Sequence, residues 1–379
     1  MVQRTSDDNK EIDLDGRISA PPVSKVGQFV SGADPVEAFG SLLDRVRRDV
    51  EARLAGYLDA RVADSARHGE DVEAMARAVR DLTLRGGKRL RAALVLVGFL
   101  AHDDTVSEEP ALDAGVAFEL LQTYLLVHDD WMDGDELRRG GPSVPAMLRR
   151  HHGSRELGDA AAILAGDYAA ALSLDVLSRL DAPPDRLVRA LSLFAEIQQH
   201  VICGQQIDIA GRVREVEEFY GLKTGSYTVR GPLLLGAYLA GAPMPVLSVL
   251  EAYAGPMGVA FQMQDDLLGV FGDTARTGKP VGEDLRKGKN TVVLHTARAM
   301  LQGADLELLE FVVGNPSARA DDLAKLTRRL DEAGVRAAVI RRISELIRDS
   351  LDAVAEAPIS ASSRAWLLGA ASMIASRLT

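Results

Sequence analysis

One cysteine, Cys203, is all that a chain of 379 residues contains. An intrachain disulfide and a thiolate-held metal cluster are therefore excluded, and Cys203 itself is expected to be a buried thiol on a helix. Positive charge is also scarce: 44 Lys and Arg face 55 Asp and Glu, a formal net charge of −11. That balance argues against nucleic acid as the main partner, although Arg85, Lys88, Arg89 and Arg91 make one local basic patch. No apolar run approaches the length of a bilayer span; the stretch 92–101 is far too short and contains Gly98. The opening residues, from Met1 to Asp8, are polar and acidic rather than signal-like. A cytoplasmic protein with no stable membrane insertion is the expectation.

Several chemistries are excluded in the same way. There is no Ser/His/Asp elbow, no His-rich zinc spacing and no dinucleotide fingerprint. His151 and His152 are adjacent and cannot share one helix face, so no metal is assigned to them. Gly278-Lys279 invites a phosphate-loop reading that fails, because Pro280 replaces the required Ser or Thr and no strand precedes it.

What remains is helical. The 47% hydrophobic content is ample for a large core. Residues 1–33 mix charges, glycine and Pro21-Pro22 without helical period, and read as a disordered tail or loosely docked arm. Asp34-Pro35 then looks like an N-cap followed by proline at the first helical position. From there the pattern predicts one all-α domain over 34–379, with no run alternating at period two. Helices are expected at 35–64, 70–84, 88–102, 110–133, 158–180, 184–211, 215–240, 246–271 and 284–302, with shorter ones to 378. Breaks fall at Gly140-Gly141-Pro142, Ala182-Pro183-Pro184, Gly241-Ala242-Pro243 and Gly314-Asn315-Pro316.

Two acidic clusters stand inside this apolar pattern. The first is Asp129-Asp130-Trp131-Met132-Asp133, the second Asp265-Asp266 with Gln262 three residues before. Carboxylates buried unpaired are costly. Asp129 and Asp133, at i and i+4, repel each other on one helix face unless a cation sits between them. Hard oxygen ligands that leave room for a phosphate suit Mg²⁺. Arg138-Arg139 follows the first cluster, and Lys279, Asp284 and Lys289 follow the second. Gly86-Gly87-Lys88 opens a cationic helix turn, a cradle for an anion. Lys223-Thr224 and Gly204-Gln205-Gln206-Ile207-Asp208 are weaker signals, the latter equally a polar core network.

In this order, these residues resemble the trans-isoprenyl diphosphate synthases (polyprenyl synthase family) from about residue 40 onward. The resemblance implies a helical bundle of the isoprenoid synthase type around a deep central cavity, usually a homodimer. It implies isopentenyl diphosphate contacts at Lys88, Arg91, Gln122 and Arg139, with Gln122 standing where many bacterial members have His. It implies Mg²⁺, three ions per site, on Asp129, Asp133 and Asp265, with Asp130 and Asp266 completing the two motifs. Arg138, Lys223, Thr224, Gln262, Lys279 and Lys289 match the surroundings of the allylic diphosphate. One departure is plain: the second motif commonly ends in Asp, and here its fifth position is Gly269, with Asp273 the candidate to compensate.

The implied reaction is ionisation of an allylic diphosphate, attack by isopentenyl diphosphate and loss of a proton. Family experience places the chain-length residues four and five before the first Asp, here Leu125 and Tyr124. Tyr124 lies about 140° round the helix from Asp129, so ordinary packing is its alternative role. The expected product is geranylgeranyl diphosphate, with farnesyl diphosphate as the alternative. A class I terpene cyclase or a non-catalytic prenyl synthase subunit stands behind both, because the cradle and nearly all the ligands are present.

Overall fold

Asp34 and Pro35 open the first helix as their chemistry requires. Asp34 Oδ1 accepts from the Val36 N–H at 3.1 Å, and proline takes the first helical position, where it has no N–H to lose. This computed structural model describes residues 34–272 and 282–376. The expected tail at 1–33, together with Asp273 and Lys279, lies outside the described residues.

Helix α1 (Pro35–Ser65) buries Phe39, Leu42, Val46, Val50, Leu54 and Leu58 at three- and four-residue spacing. Each such side chain contributes roughly 1.5–3 kcal/mol on leaving water. There follow α2 (Glu70–Leu84), α3 (Leu90–Phe99) and α4 (Glu109–Asp133). A two-residue antiparallel ladder, β1 (Leu137–Arg138) with β2 (Gly141–Pro142), turns the chain into α5 (Val144–His152). Next come α6 (Arg155–Ser178), α7 (Pro184–Ala210) and α8 (Val216–Tyr220). A π-helical stretch, Gly221–Arg230, leads into α9 (Gly231–Ala240), and α10 (Met244–Phe271) carries the second acidic cluster. Beyond residue 282 lie α11 (Glu283–Arg286), α12 (Val292–Met300), α13 (Gly303–Val312), α14 (Ala320–Glu332), α15 (Val335–Val354) and α16 (Ala361–Ala375).

The all-α architecture agrees with the periodicity; three local features depart from it. Helix α5 was not anticipated, although Ser143 caps it through the Ala146 N–H at 3.3 Å and proline sits in its first turn. The stretch expected to be one helix over 284–302 is divided, because Gly288 turns left-handed at φ 69° and Thr291 caps a new start. Cys203 lies on α7 but is exposed, not buried.

The acidic helices are held from several sides. α4 packs on α6, α3 on α9 and α10 on α15. The α3–α9 approach is close enough that a Cβ on Gly98 would overlap the Leu233 backbone. On α10, the buried Gln264 amide donates to the Ile374 carbonyl, and the Tyr253 hydroxyl donates to the Leu367 carbonyl at 2.8 Å, tying the helix to α16. Contrary to the expectation from the sequence, helices α6 and α10 are each long and apolar enough to cross a membrane. In α10 half of that apolar window is buried inside the bundle, as for a core helix.

Candidate active site

The first acidic cluster occupies the last turn of α4, which Gly134 ends in the left-handed conformation. Asp130 is fully buried, at 0% exposure. The β1–β2 turn brings Arg138 back onto it: Arg138 Nε donates to Asp130 Oδ1 at 2.6 Å, and a second guanidinium nitrogen pairs with the same oxygen. Arg138 also reaches Asp135 at 3.4 Å and Asp129 at 3.6 Å. Burial raises the Asp130 pKa to about 6, and Arg138 opposes that rise. Arg85 fixes the turn by donating to the carbonyls of Arg138 and Pro142, at 2.9 and 2.7 Å. Arg85 is thus structural, not part of a basic surface.

Asp129 and Asp133 point the other way and are partly exposed. Gln205 Nε2 approaches Asp129 Oδ1 at 3.4 Å, and Lys289 Nζ approaches Asp133 Oδ2 at 3.4 Å. Both contacts are long, so these carboxylates retain oxygen lone pairs for a hard cation.

The second cluster repeats the division. Asp265 is exposed, whereas Asp266 is buried. Asp266 Oδ1 accepts from Gln262 Nε2 at 2.8 Å, and Oδ2 accepts from the Tyr220 hydroxyl. Tyr220 in turn accepts from the Val292 N–H at 2.7 Å, so three elements close around one carboxylate. Burial raises the Asp266 pKa to about 7, opposed by the hydrogen bonds from Tyr220 and Gln262. Gln262 Oε1 accepts from Thr224 Oγ1 at 2.6 Å, and Lys223 pairs with Asp208 of α7. The π-helical stretch is what presents Lys223 and Thr224 toward these partners; such bulges recur at functional sites. Lys289 faces the first cluster through Asp133. Burial works against its ammonium, but Asp133, Asp284 and Asp129 outweigh that and hold its pKa above the ordinary value.

A cavity beside the clusters has Lys88, Arg91 and Arg139 in its wall, with Phe261, Met257 and Ile374 supplying apolar surface. Arg89, from the same basic patch, is committed elsewhere. It takes a left-handed φ of 51° and pairs inside the protein with Glu119 at 2.8 Å, so α3 begins at Leu90 and not at 88. Arg91 donates to Thr228 Oγ1 at 2.8 Å and stacks over the Tyr227 ring. Arg139, also left-handed, donates to the Gly86 carbonyl at 2.6 Å. Its guanidinium lies against the bare face of Gly87, which at φ 141° needs to be glycine. Burial lowers the Arg139 pKa, Glu119 opposes this, and Arg89, Arg91 and Arg138 lower it further. Crowded guanidinium groups of this kind favour an anionic ligand. Gln122 is buried with its Oε1 unbonded and is not among the residues lining this cavity.

Tyr124 is buried, its ring edge-on to His128 with centroids 5.0 Å apart, while Leu125 is half-buried against the core. Sequence reasoning missed Tyr220 and Glu119, since a lone Tyr or Glu inside an amphipathic pattern carries no signal of its own. It named Gln205 and Asp208 only as a polar network.

A separate group also meets. His151 Nε2 lies 2.9 Å from Asp71 Oδ1, and His152 Nδ1 lies 3.7 Å from the same oxygen. Their ligand atoms fall within 4.8 Å of one another, a set able to hold a divalent metal. The sequence reading assigned these histidines no metal because neighbours diverge on a helix. Asp71, coming from α2, supplies the meeting point that reading lacked. Two imidazoles and one carboxylate suit a transition metal better than Mg²⁺.

Outward carboxylates on two helices of the bundle, Asp129 and Asp133 on one and Asp265 on the other, make a set able to hold a hard cation. Comparison with known proteins gives the family. The polyprenyl synthetase model matches residues 72–330, and the chain belongs to that family, the trans-isoprenyl diphosphate synthases. It is 34% identical over 277 residues to the (2E,6E)-farnesyl diphosphate synthase of Mycobacterium tuberculosis, covering 71% of this chain and 74% of that one. It is 31% identical over 298 residues to the geranylgeranyl pyrophosphate synthase of Geoglobus acetivorans, covering 76% and 88%. A crystal structure of geranylgeranyl pyrophosphate synthase from Corynebacterium glutamicum, in complex with isoprenyl diphosphate and magnesium, superposes with TM-score 0.82. That pair is 32% identical and covers 88% of this chain and 99% of that one.

Proposed function

We propose that this protein condenses isopentenyl diphosphate with an allylic diphosphate to make a short all-trans prenyl diphosphate, most closely geranylgeranyl diphosphate. The observation that carries the proposal is the shared division of the two acidic clusters: one aspartate of each locked inside, its neighbour turned outward. Asp129, Asp133 and Asp265 offer oxygen donors only, which fits Mg²⁺ and the three ions implied by the resemblance. Mg²⁺ bound there would neutralise charge building on the departing diphosphate.

The protein's own residues do the remaining work. Asp130 and Asp266 hold their helices in register through Arg138 and through Tyr220 with Gln262. Lys223 and Lys289, now paired with Asp208 and Asp133, supply cations that exchange a carboxylate for an incoming phosphate; Lys279 and Arg138 would join them. Lys88, Arg91 and Arg139 hold the second diphosphate, and the apolar wall of that cavity accepts its hydrocarbon end and excludes water from the allylic cation. No protein nucleophile is needed, since the leaving diphosphate itself can take the proton.

Farnesyl diphosphate is the second reading for the product, favoured by the likeness to a mycobacterial farnesyl diphosphate synthase. Exposed Leu157, Leu164, Val188 and Ile202 on α6 and α7 support a homodimer. The test is incubation of the purified protein with labelled isopentenyl diphosphate and dimethylallyl, geranyl or farnesyl diphosphate, with Mg²⁺ or EDTA. Mg²⁺-dependent elongation ending at twenty carbons is expected. No elongation from any primer would overturn the proposal.

A further inference from the structure

Helices α2 and α5 lie side by side, the start of one against the end of the other. Helix α2 runs into the turn at Arg85, and α5 follows the hairpin that carries Arg138 and Arg139. At that end Arg85 ties the pair, donating to the carbonyls of Arg138 and Pro142 and approaching Met147 Sδ of α5 at 3.9 Å. At the opposite end, the last turn of α5 carries His151 and His152, and the first turn of α2 carries Asp71. Neighbours on a helix point about 100° apart, yet both histidines reach one carboxylate because they use different ring nitrogens. His151 brings Nε2, the nitrogen far from its Cβ, to 2.9 Å from Asp71 Oδ1. His152 brings Nδ1, the near one, to 3.7 Å from the same oxygen. The two rings stand edge to face, at 79°, with centroids 4.9 Å apart. All three ligand atoms lie within 4.8 Å of one another. With metal–ligand bonds of about 2.0–2.2 Å, tetrahedral ligand atoms stand roughly 3.4 Å apart, so small side-chain rotations close these three around one ion.

We propose that Asp71, His151 and His152 bind a transition-metal dication of the Zn²⁺ class, at a site distinct from the two acidic clusters, and that the ion clips α2 to α5. Imidazole nitrogen selects such ions, whereas the oxygen-only clusters suit Mg²⁺. Three protein ligands leave the fourth position to water, and the site lies at the surface, with the His151 and His152 side chains 27% and 16% exposed. The ligands come from two helices that meet only in the folded chain, so the ion stabilises the fold by mass action. Its role is structural: it secures the end of the helix pair that Arg85 does not reach.

The test is calorimetric titration of Zn²⁺ into the tag-free full chain in excess Mg²⁺, which competes for the acidic clusters, with the visible absorption of bound Co²⁺ as a second readout. One Zn²⁺ per chain is expected. The melting temperature should rise by about 2–4 °C at Zn²⁺ about 100-fold above its dissociation constant. His151→Ala, His152→Ala and Asp71→Ala should each weaken Zn²⁺ binding about tenfold or more, since each removes a ligand itself and loss of an outer partner alone costs that much. Each variant should keep the parent's circular dichroism without metal; Asp71→Ala, at the most exposed of the three positions, alters the packing least. No Zn²⁺ binding by the parent, or parent-like binding by all three variants, would overturn the proposal. Loss in His151→Ala with parent-like binding in His152→Ala would also overturn the three-ligand site. If Asp129→Asn/Asp265→Asn abolished the binding while Asp71→Ala kept it, the ion would belong to the acidic clusters and the proposal would fall.

Discussion

The ends of α4 and α10 present the same problem solved by different means. Each carries two consecutive aspartates, and in each the second is buried and hydrogen-bonded while the first faces outward. On α4 the buried Asp130 is closed by Arg138, eight residues on, so the motif and its counter-ion belong to one short stretch of chain. On α10 the buried Asp266 is closed by Tyr220, Gln262 and, through Tyr220, the start of α12. The first motif is thus locally assembled, whereas the second exists only once distant segments have docked. A carboxylate satisfied by an adjacent arginine carries its cation wherever it goes. One satisfied by neutral donors depends on the fold being complete.

That contrast can be broken most forcefully at the outward pair. Asp129→Asn and Asp265→Asn should each lower turnover by roughly 10²–10³-fold, measured as isopentenyl incorporation at saturating primer. If either retained parent activity, the equivalence of the two motifs would be lost. Next in size is Arg138→Met, which strands Asp130 without its counter-ion. Breaking a buried ion pair from one side costs about 3–5 kcal/mol, so a clear fall in the thermal midpoint is expected. Tyr220→Phe should cost less, about 1–3 kcal/mol for the unsatisfied groups left behind. Its effect should fall on the second motif alone, raising the Mg²⁺ concentration needed for half-maximal rate. An unchanged Mg²⁺ requirement would show that Tyr220 only packs. The smallest effect on rate is expected from Tyr124→Ala, whose signature is a longer product seen by chromatography; an unaltered product distribution would place the end of the chain-binding cavity elsewhere.

The same contrast explains what could be read from the chain itself. Asp129, Asp130, Asp133 and Arg138 fall within ten residues, and their spacing on a helix and turn carried the reading directly. The Gly86-Gly87-Lys88 turn was equally legible as a cradle, but its register was not. Arg89 looks like one more surface cation until Glu119, on another helix, draws it inside. Tyr220 meets Asp266 and Val292 only through the fold, across long stretches of sequence, which periodicity cannot report. The expected long helix over 284–302 fails for a related reason. Its apolar run begins only at Val292, and Gly288 and the Thr291 cap, with the docking of the 282–289 segment on α10, divide it.

The most direct measurement is anomalous diffraction from crystals grown with Mn²⁺ and inorganic diphosphate. The account predicts manganese bound by Asp129 and Asp133 and again by Asp265, with diphosphate oxygens completing the coordination. Manganese confined to Asp71, His151 and His152, with both acidic clusters bare, would contradict it.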